Sequence, residues 1–259
     1  MLGCLAFRLQ VIPDVGQRKK RWRAVKDCEV IKAFVAYLRV RGHLGLRIES
    51  RPDKENRESS DIDAISGEFA LEHTSVDTLP NQRRDADWFT CVVSGLEDEL
   101  STSPSCRLRI TLEYHAVSTG QDWLSIREAL KIWITHEVPH LADGSHVTNS
   151  SDRPHGLFFA RYKPVDDTLP ARIRTQFDRK AQKLAKYQNA GKTTVLLVEN
   201  SDIALMNDQK MLEAIRRAYP DGLPVGVDEL WYADTAILDN IDFNDFTAML
   251  GGMTGRGDR

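Results

Sequence analysis

The sequence predicts an α/β fold, and three observations carry that expectation. Short runs with period-two alternation or continuous apolar character recur along the chain, as strands do. Longer segments with apolar residues at i, i+3, i+4 and i+7 lie between them, as amphipathic helices do. The run Thr193–Glu199 (Thr-Thr-Val-Leu-Leu-Val-Glu) is apolar at almost every position, the pattern of a strand covered on both faces.

The first helix is expected over Lys26–Arg41, where Ile31, Phe34, Val35 and Leu38 form the apolar stripe and Gly42 supplies the stop. Leu44, Leu46 and Ile48 alternate and predict a strand. Arg51–Ser60 is charged and lacks large apolar residues, so it reads as a loop. A strand follows at Glu68–Thr74, then a helix over Asn81–Leu100 with Trp88, Phe89, Val92, Val93, Leu96 and Leu100 inward. Arg107–Glu113 reads as a strand, Asp122–Ile134 as a helix striped by Trp123, Ile126, Leu130 and Trp133, and Gly156–Tyr162 as a strand. Pro170–Tyr187 is expected as a helix with Ile173, Phe177, Ala181 and Leu184 inward. The strand Thr193–Glu199, a helix over Asp208–Ala218 and a strand over Val227–Tyr232 complete the body.

Chemistry concentrates at residues 59–74. Ser59-Ser60-Asp61-Ile62-Asp63 leads, past Gly67, into Glu68-Phe69-Ala70-Leu71-Glu72-His73-Thr74. Alternation puts Phe69, Leu71 and His73 on one face and Ala70, Glu72 and Thr74 on the other. Glu72 and Thr74 are therefore neighbours, with Asp61 and Asp63 on the preceding element. Converging carboxylates suit a hard divalent cation such as Mg²⁺, which activates water and stabilises a phosphoryl transition state. The same residues also suit a plainer role, Asp61 and Asp63 capping a turn and Glu72 lying on a half-solvated strand.

This pattern resembles the PD-(D/E)xK nuclease superfamily, in which an Asp lies one hairpin before a strand carrying Glu-x-Lys. Asp63 matches the Asp, Glu72 the acidic residue of the strand, and Thr74 stands where that family has Lys. The resemblance extends over residues 27–235 through the order of elements. It implies a restriction-endonuclease-like αβββαβ core with a mixed central sheet flanked by helices, here with an inserted helical segment at about 115–155. It also implies a nuclease acting on nucleic acid, DNA before RNA, with Mg²⁺ or Mn²⁺ held by Asp63 and Glu72, joined by Asp61 and the His73 carbonyl. Dimerisation is common among nucleases that cut both strands, so a homodimer stays open. Loss of the Lys leaves a second expectation open, a nuclease-like module that binds nucleic acid or protein without turnover.

Cations near this segment fit that expectation. Arg83 and Arg84 open the helix after the carboxylate strand. The Pro170–Tyr187 helix carries Arg172, Arg174, Arg179, Lys180, Lys183 and Lys186 against the single anion Asp178. Like charges at i, i+3 and i+4 repel, and a polyanion relieves the repulsion. Arg179, Lys180 and Lys183 are expected phosphate contacts, and Lys180 or Lys183 can supply the ammonium missing at Thr74. A solvated helix face is the competing account. Glu29 is either a further metal ligand or a carboxylate favoured by the helix dipole.

The whole chain sets bounds. Its 259 residues suffice for one large domain or two small ones, and the expectation is one domain over 27–250. No apolar run reaches the 18 or so residues of a membrane span, and no secretory leader is evident at Met1–Phe7. The four scattered cysteines show no metal or disulfide spacing, so a reducing cytoplasm is expected. Net charge is −3, yet Arg8, Arg18, Lys19, Lys20, Arg21, Arg23 and Lys26 face only Asp14 in residues 1–26. That arm suits phosphate binding or simple solvation equally. The tail from Gly251 is expected to be disordered.

Three motifs compete. His136-Glu137-Val138-Pro139-His140, with His146 beyond, matches the zinc-protease pattern His-Glu-x-x-His. That chemistry needs a continuous helix, and Pro139 costs about 3 kcal/mol inside one. A loop after the preceding helix is the expectation, with a zinc protease as the alternative. Gly191-Lys192-Thr193 lacks the earlier glycine of a phosphate loop and precedes a strand, so it reads as a helix stop. Arg256-Gly257-Asp258 reads as incidental.

Overall fold

The β3 ladder organises the larger part of the molecule. The computed structural model describes residues 8–9, 27–55, 61–100, 107–137, 156–162, 164–202, 205–237 and 241–251. The basic arm (apart from Arg8 and Leu9), Ser59, Ser60, Pro139, His140, His146 and the glycine-rich tail after Gly251 lie outside the described residues. The elements are β1 (Arg8–Leu9), α1 (Asp27–Val40), α2 (Pro52–Glu55), β2 (Ala64–Ser66), β3 (Phe69–Ser75), α3 (Gln82–Val93), α4 (Leu96–Leu100), β4 (Arg107–Leu112), α5 (Trp123–Glu137), β5 (Gly156–Arg161), α6 (Leu169–Asn189), β6 (Thr193–Asn200), α7 (Asp208–Ala218), β7 (Glu229–Asp234), β8 (Asp242–Asp245) and α8 (Phe246–Gly251).

Two compact units emerge, residues 21–79 with 166–259, and residues 1–20 with 80–165. The expected insertion at 115–155 thus falls inside a longer segment, 80–165, that leaves the first unit after β3 and returns before α6.

The first unit holds a mixed five-stranded sheet in the order β2-β3-β6-β7-β8. β2 pairs antiparallel with β3, β3 and β7 flank β6 in parallel, and β8 closes the edge antiparallel. Alternation along the strands builds two cores. Ala70, Leu196, Val198, Leu230 and Tyr232 pack under α6 and α7 with Ile173, Phe177, Leu184, Met211 and Ile215. Leu71, Val195, Leu197 and Trp231 pack under α1 with Ile31, Phe34 and Leu38. The fold is therefore α/β, with helices on both faces of a mixed central sheet. Among the described residues no helix is long and apolar enough to cross a membrane.

Local chemistry fixes the helices that frame the sheet. Asn207 caps α7 by accepting from the Lys210 N–H (2.8 Å), Asp208 sits in its first turn, and Arg216 and Arg217 in its last. Gly226 lies at φ +97°, where a Cβ would meet the Ala181 carbonyl of α6 at 2.6 Å. Only glycine lets the strand connection approach the helix backbone this closely. At the other end of α6, Arg172 donates to the carbonyls of Asp77 and Thr78 (both 2.8 Å) and pairs with Asp166 (3.1 Å).

The second unit has a three-stranded sheet in the order β1-β4-β5, with β4 antiparallel to β1 and parallel to β5. Val92, Leu96, Ile110, Leu112, Leu130, Ile134 and Leu157 form its core with α3, α4 and α5.

Some expectations are corrected. Leu44–Ile48 is not a strand: Gly42 and Gly45 take positive φ (112° and 85°), Leu44 is exposed, and the edge contact with β2 falls at Glu49–Ser50 instead. The helix expected over Asn81–Leu100 breaks at Ser94–Gly95, where Gly95 has φ +80°. β8 and α8 carry too little periodicity in four and six residues to be foreseen.

Candidate functional site

β3 carries polar residues into the interior of the sheet. Its alternation turns Ala70, Glu72 and Thr74 toward α6, and Phe69, Leu71 and His73 toward α1. Glu72 is completely buried, and His73 and Thr74 nearly so. Burying a carboxylate this deeply is unfavourable unless it is paired.

The hairpin supplies the first partners. The Ala64↔Leu71 register brings Asp63 opposite Glu72. The Asp63 N–H donates to Glu72 Oε2 (3.1 Å), and the His73 N–H donates to Asp63 Oδ2 (2.7 Å). Each carboxylate is thus oriented by the backbone of the opposite strand.

α6 supplies the cations. Lys180 Nζ lies 2.6 Å and Lys183 Nζ 3.0 Å from Glu72 Oε1, two ion-pair contacts on one carboxylate oxygen. Lys183 also donates to the Asp61 carbonyl (2.9 Å). The Thr74 hydroxyl donates to Gln176 Oε1 (2.9 Å). Lys186 Nζ and the Tyr187 hydroxyl reach Asp61 Oδ2 and Oδ1 at 2.7 and 3.0 Å.

These contacts set the electrostatics. Burial pushes the Glu72 carboxyl above its ordinary pKa, the neighbouring Asp63 charge adds to the rise, and Lys180 and Lys183 oppose it. Burial also acts to raise Asp61, but the Lys186 ammonium, the Ile62 N–H and the Tyr187 hydroxyl outweigh it and hold Asp61 below the usual carboxylate range.

The structure brings Asp63, Glu72, Lys180 and Lys183 together and treats other candidate residues differently. Asp61 gives its carboxylate to Lys186, Tyr187 and its own neighbour's N–H, so it does not join Asp63 and Glu72. Among the described residues no three His, Cys, Asp or Glu side chains form a metal-holding group. The His73 side chain turns to the opposite face, where Nε2 lies 3.0 Å from Glu199 Oε2 and Thr235 donates to Glu199 Oε1 (2.7 Å). Arg83 and Arg84 are exposed on α3, in the other unit. Glu29 is exposed in the first turn of α1, and His136 is exposed in the last turn of α5.

The surplus cations of α6 need no polyanion to relieve their repulsion. Lys180, Lys183 and Lys186 are paired as described, Arg172 is spent on backbone carbonyls and Asp166, and Arg174 stacks over Tyr219. Arg179 is exposed.

Sequence reasoning missed Gln176 and Tyr187. The signal was available: Gln176, Lys180, Lys183 and Tyr187 follow i, i+4, i+7 and i+11, a stripe beside the apolar stripe of Ile173, Phe177, Ala181 and Leu184. Compared with models of protein families, with curated proteins and with solved structures, the chain matches none.

Proposed function

We propose that this chain is a metal-dependent phosphodiesterase acting on nucleic acid, DNA before RNA, built on a restriction-endonuclease-like core. The observation that carries this reading is the fully buried Glu72, with the Lys180 ammonium 2.6 Å from one oxygen and the Asp63 backbone N–H on the other. The order α1, β2, β3, α6, β6, with β2 antiparallel and β6 parallel to β3, supports the core with the first of its three leading strands reduced to a single bridge at Ser50.

The donor set suits Mg²⁺ or Mn²⁺. Such ions take one or two carboxylates and complete their shell with waters and substrate phosphates. Asp63 and Glu72 would hold the ion, with Glu72 Oε1, now against the Lys180 and Lys183 ammoniums, as the oxygen it would share with them. When bound, the ion lowers the pKa of a water and offsets charge on the phosphate. The rest is work for this chain. The two strand N–H groups orient the carboxylates, burial excludes competing water from Glu72, and Lys180 supplies the ammonium that Thr74 cannot. Thr74 instead ties β3 to α6 through Gln176.

The test is cleavage of single- and double-stranded DNA and RNA with Mg²⁺, Mn²⁺ or EDTA, in the wild type and in Glu72→Ala. Turnover that needs both metal and Glu72 is the expected result. Equal cleavage by the two proteins refutes the assignment.

One observation favours a second reading, a module that binds nucleic acid without turnover. Both oxygens of Glu72 already face donors or cations from the protein itself. A gel shift that survives EDTA, without cleavage under any metal, selects it.

A further inference from the structure

Under the metal-dependent function proposed above, on which this inference rests, Glu72 Oε1 is an oxygen the ion would need. That oxygen is not vacant. Lys183 Nζ sits 3.0 Å from it and 2.9 Å from the Asp61 carbonyl, two oxygens from separate segments of the chain. An ammonium between oxygens of a strand carboxylate and a preceding carbonyl stands in the position of an oxygen-liganded cation.

Charge makes joint occupancy unfavourable. Lys180 and Lys183 both lie against Glu72 Oε1, so two cations already accompany the carboxylates of Glu72 and its neighbour Asp63. A divalent ion entering beside both ammoniums would leave two excess positive charges in a buried site, where screening is weak. One lysine has to leave. Lys180 makes the shorter contact with Glu72 (2.6 Å), whereas Lys183 divides its ammonium between Glu72 and a neutral carbonyl and keeps a fifth of its side chain exposed. Its four-carbon stem can swing the ammonium to water at little cost.

We infer that Lys183 is the resident cation of this site, holding Glu72 Oε1 and the Asp61 carbonyl until a divalent ion displaces it. Lys183 therefore lowers the metal affinity of the resting protein. It keeps the buried carboxylates neutralised when no metal is bound, and it releases an ammonium toward solvent when metal enters.

The experiment is Mn²⁺ binding to the full chain without nucleic acid, followed by the electron-paramagnetic signal of free Mn²⁺. Wild type, Lys183→Met, Lys183→Gln, Lys183→Arg and Glu72→Ala are compared, with circular dichroism establishing that each is folded. Both neutral variants should bind Mn²⁺ at least about tenfold more tightly than wild type, and Lys183→Arg should not. Glu72→Ala should lose the site. Glu72-dependent Mn²⁺ binding that is equal or weaker in both neutral variants overturns the resident-cation role and leaves the metal-dependent function standing. Absence of Glu72-dependent binding in every variant overturns that function, and the inference with it. The two neutral side chains differ in polarity, so the loss of one to misfolding still leaves the other to decide.

Discussion

Replacing Glu72 by Gln and Lys180 by Met, singly and together, measures how strongly the buried pair is coupled. At an effective dielectric of about 20, unit charges at the observed 2.6 Å attract by about 6 kcal/mol. Desolvation of a fully buried carboxylate offsets most of that. Lys180→Met leaves Glu72 with Lys183 as its remaining cation, so the loss should be about 2 kcal/mol, below the 3–5 kcal/mol for stripping a buried charge of its only partner. Glu72→Gln keeps the shape but leaves two ammoniums without a counter-ion. Their stems can turn to water, and a loss of about 1 kcal/mol is expected. With both charges gone the double variant should lose only about 1 kcal/mol, giving a coupling of about 2 kcal/mol. Urea unfolding with a shared m-value measures all four proteins. Additivity within about 0.5 kcal/mol would refute the buried pair and remove the ammonium from the proposed site.

Four further outcomes are expected. Glu72→Ala should lose metal-dependent cleavage while keeping the circular-dichroism spectrum of the wild type, and loss of the spectrum would make the activity result uninformative about chemistry. Gly226→Ala forces a Cβ to within 2.6 Å of the Ala181 carbonyl at φ +97°, so at least about 2 kcal/mol, or a Tm lower by ~4–8 °C, should be lost. A Tm change under 2 °C or so would contradict the close approach. Burial acts to raise the Asp228 carboxyl, but the Thr194 N–H, Gln188 and the Thr194 hydroxyl hold it below its ordinary value. A depressed carboxylate stabilises the fold above its unfolded pKa and loses that contribution as pH falls through the folded one. Because Asp228 is largely solvent-facing, Asp228→Asn should cost only about 1 kcal/mol at pH 7, and the gap to wild type should close below about pH 4. A gap unchanged at pH 2.5 or so would refute the linkage. Phe34→Ala removes a fully buried ring that meets Trp231 edge-on at 5.4 Å, and should cost about 3–5 kcal/mol with a change in tryptophan emission.

Much of the first unit could be read from periodicity. Thr193–Glu199 and the Ile173–Leu184 stripe declared a buried strand and its covering helix, because burial on both faces or one face leaves a direct pattern in the residue types. Alternation placed Glu72 beside Thr74, and the resemblance, which sets an Asp one hairpin earlier, singled out Asp63 as the residue opposite Glu72. The direction of Asp61 did not, because a residue before a strand has no fixed phase, and its carboxylate was settled by Lys186 and Tyr187 from more than 120 residues away. The fate of the α6 cations was hidden for the same reason: helical spacing shows which charges share a stripe, not which buried anion lies beneath them. Leu44–Ile48 misled because alternation alone does not register two glycines at positive φ.

Arg172 has a consequence for how the chain folds. The carbonyls and carboxylate it gathers flank the points where residues 80–165 begin and end. The β3–β6 ladder, which joins Phe69 to Thr193, therefore has to close a very long loop. Equilibrium barely registers this, since each doubling of a loop adds only about 0.6 kcal/mol of closure entropy. Kinetics registers it strongly, because pairings distant in sequence form slowly. An intervening segment with its own core can collapse first and shorten the effective loop. One guanidinium then fastens the two ends, which makes Arg172 a folding latch whose loss should slow sheet formation more than it weakens the finished sheet.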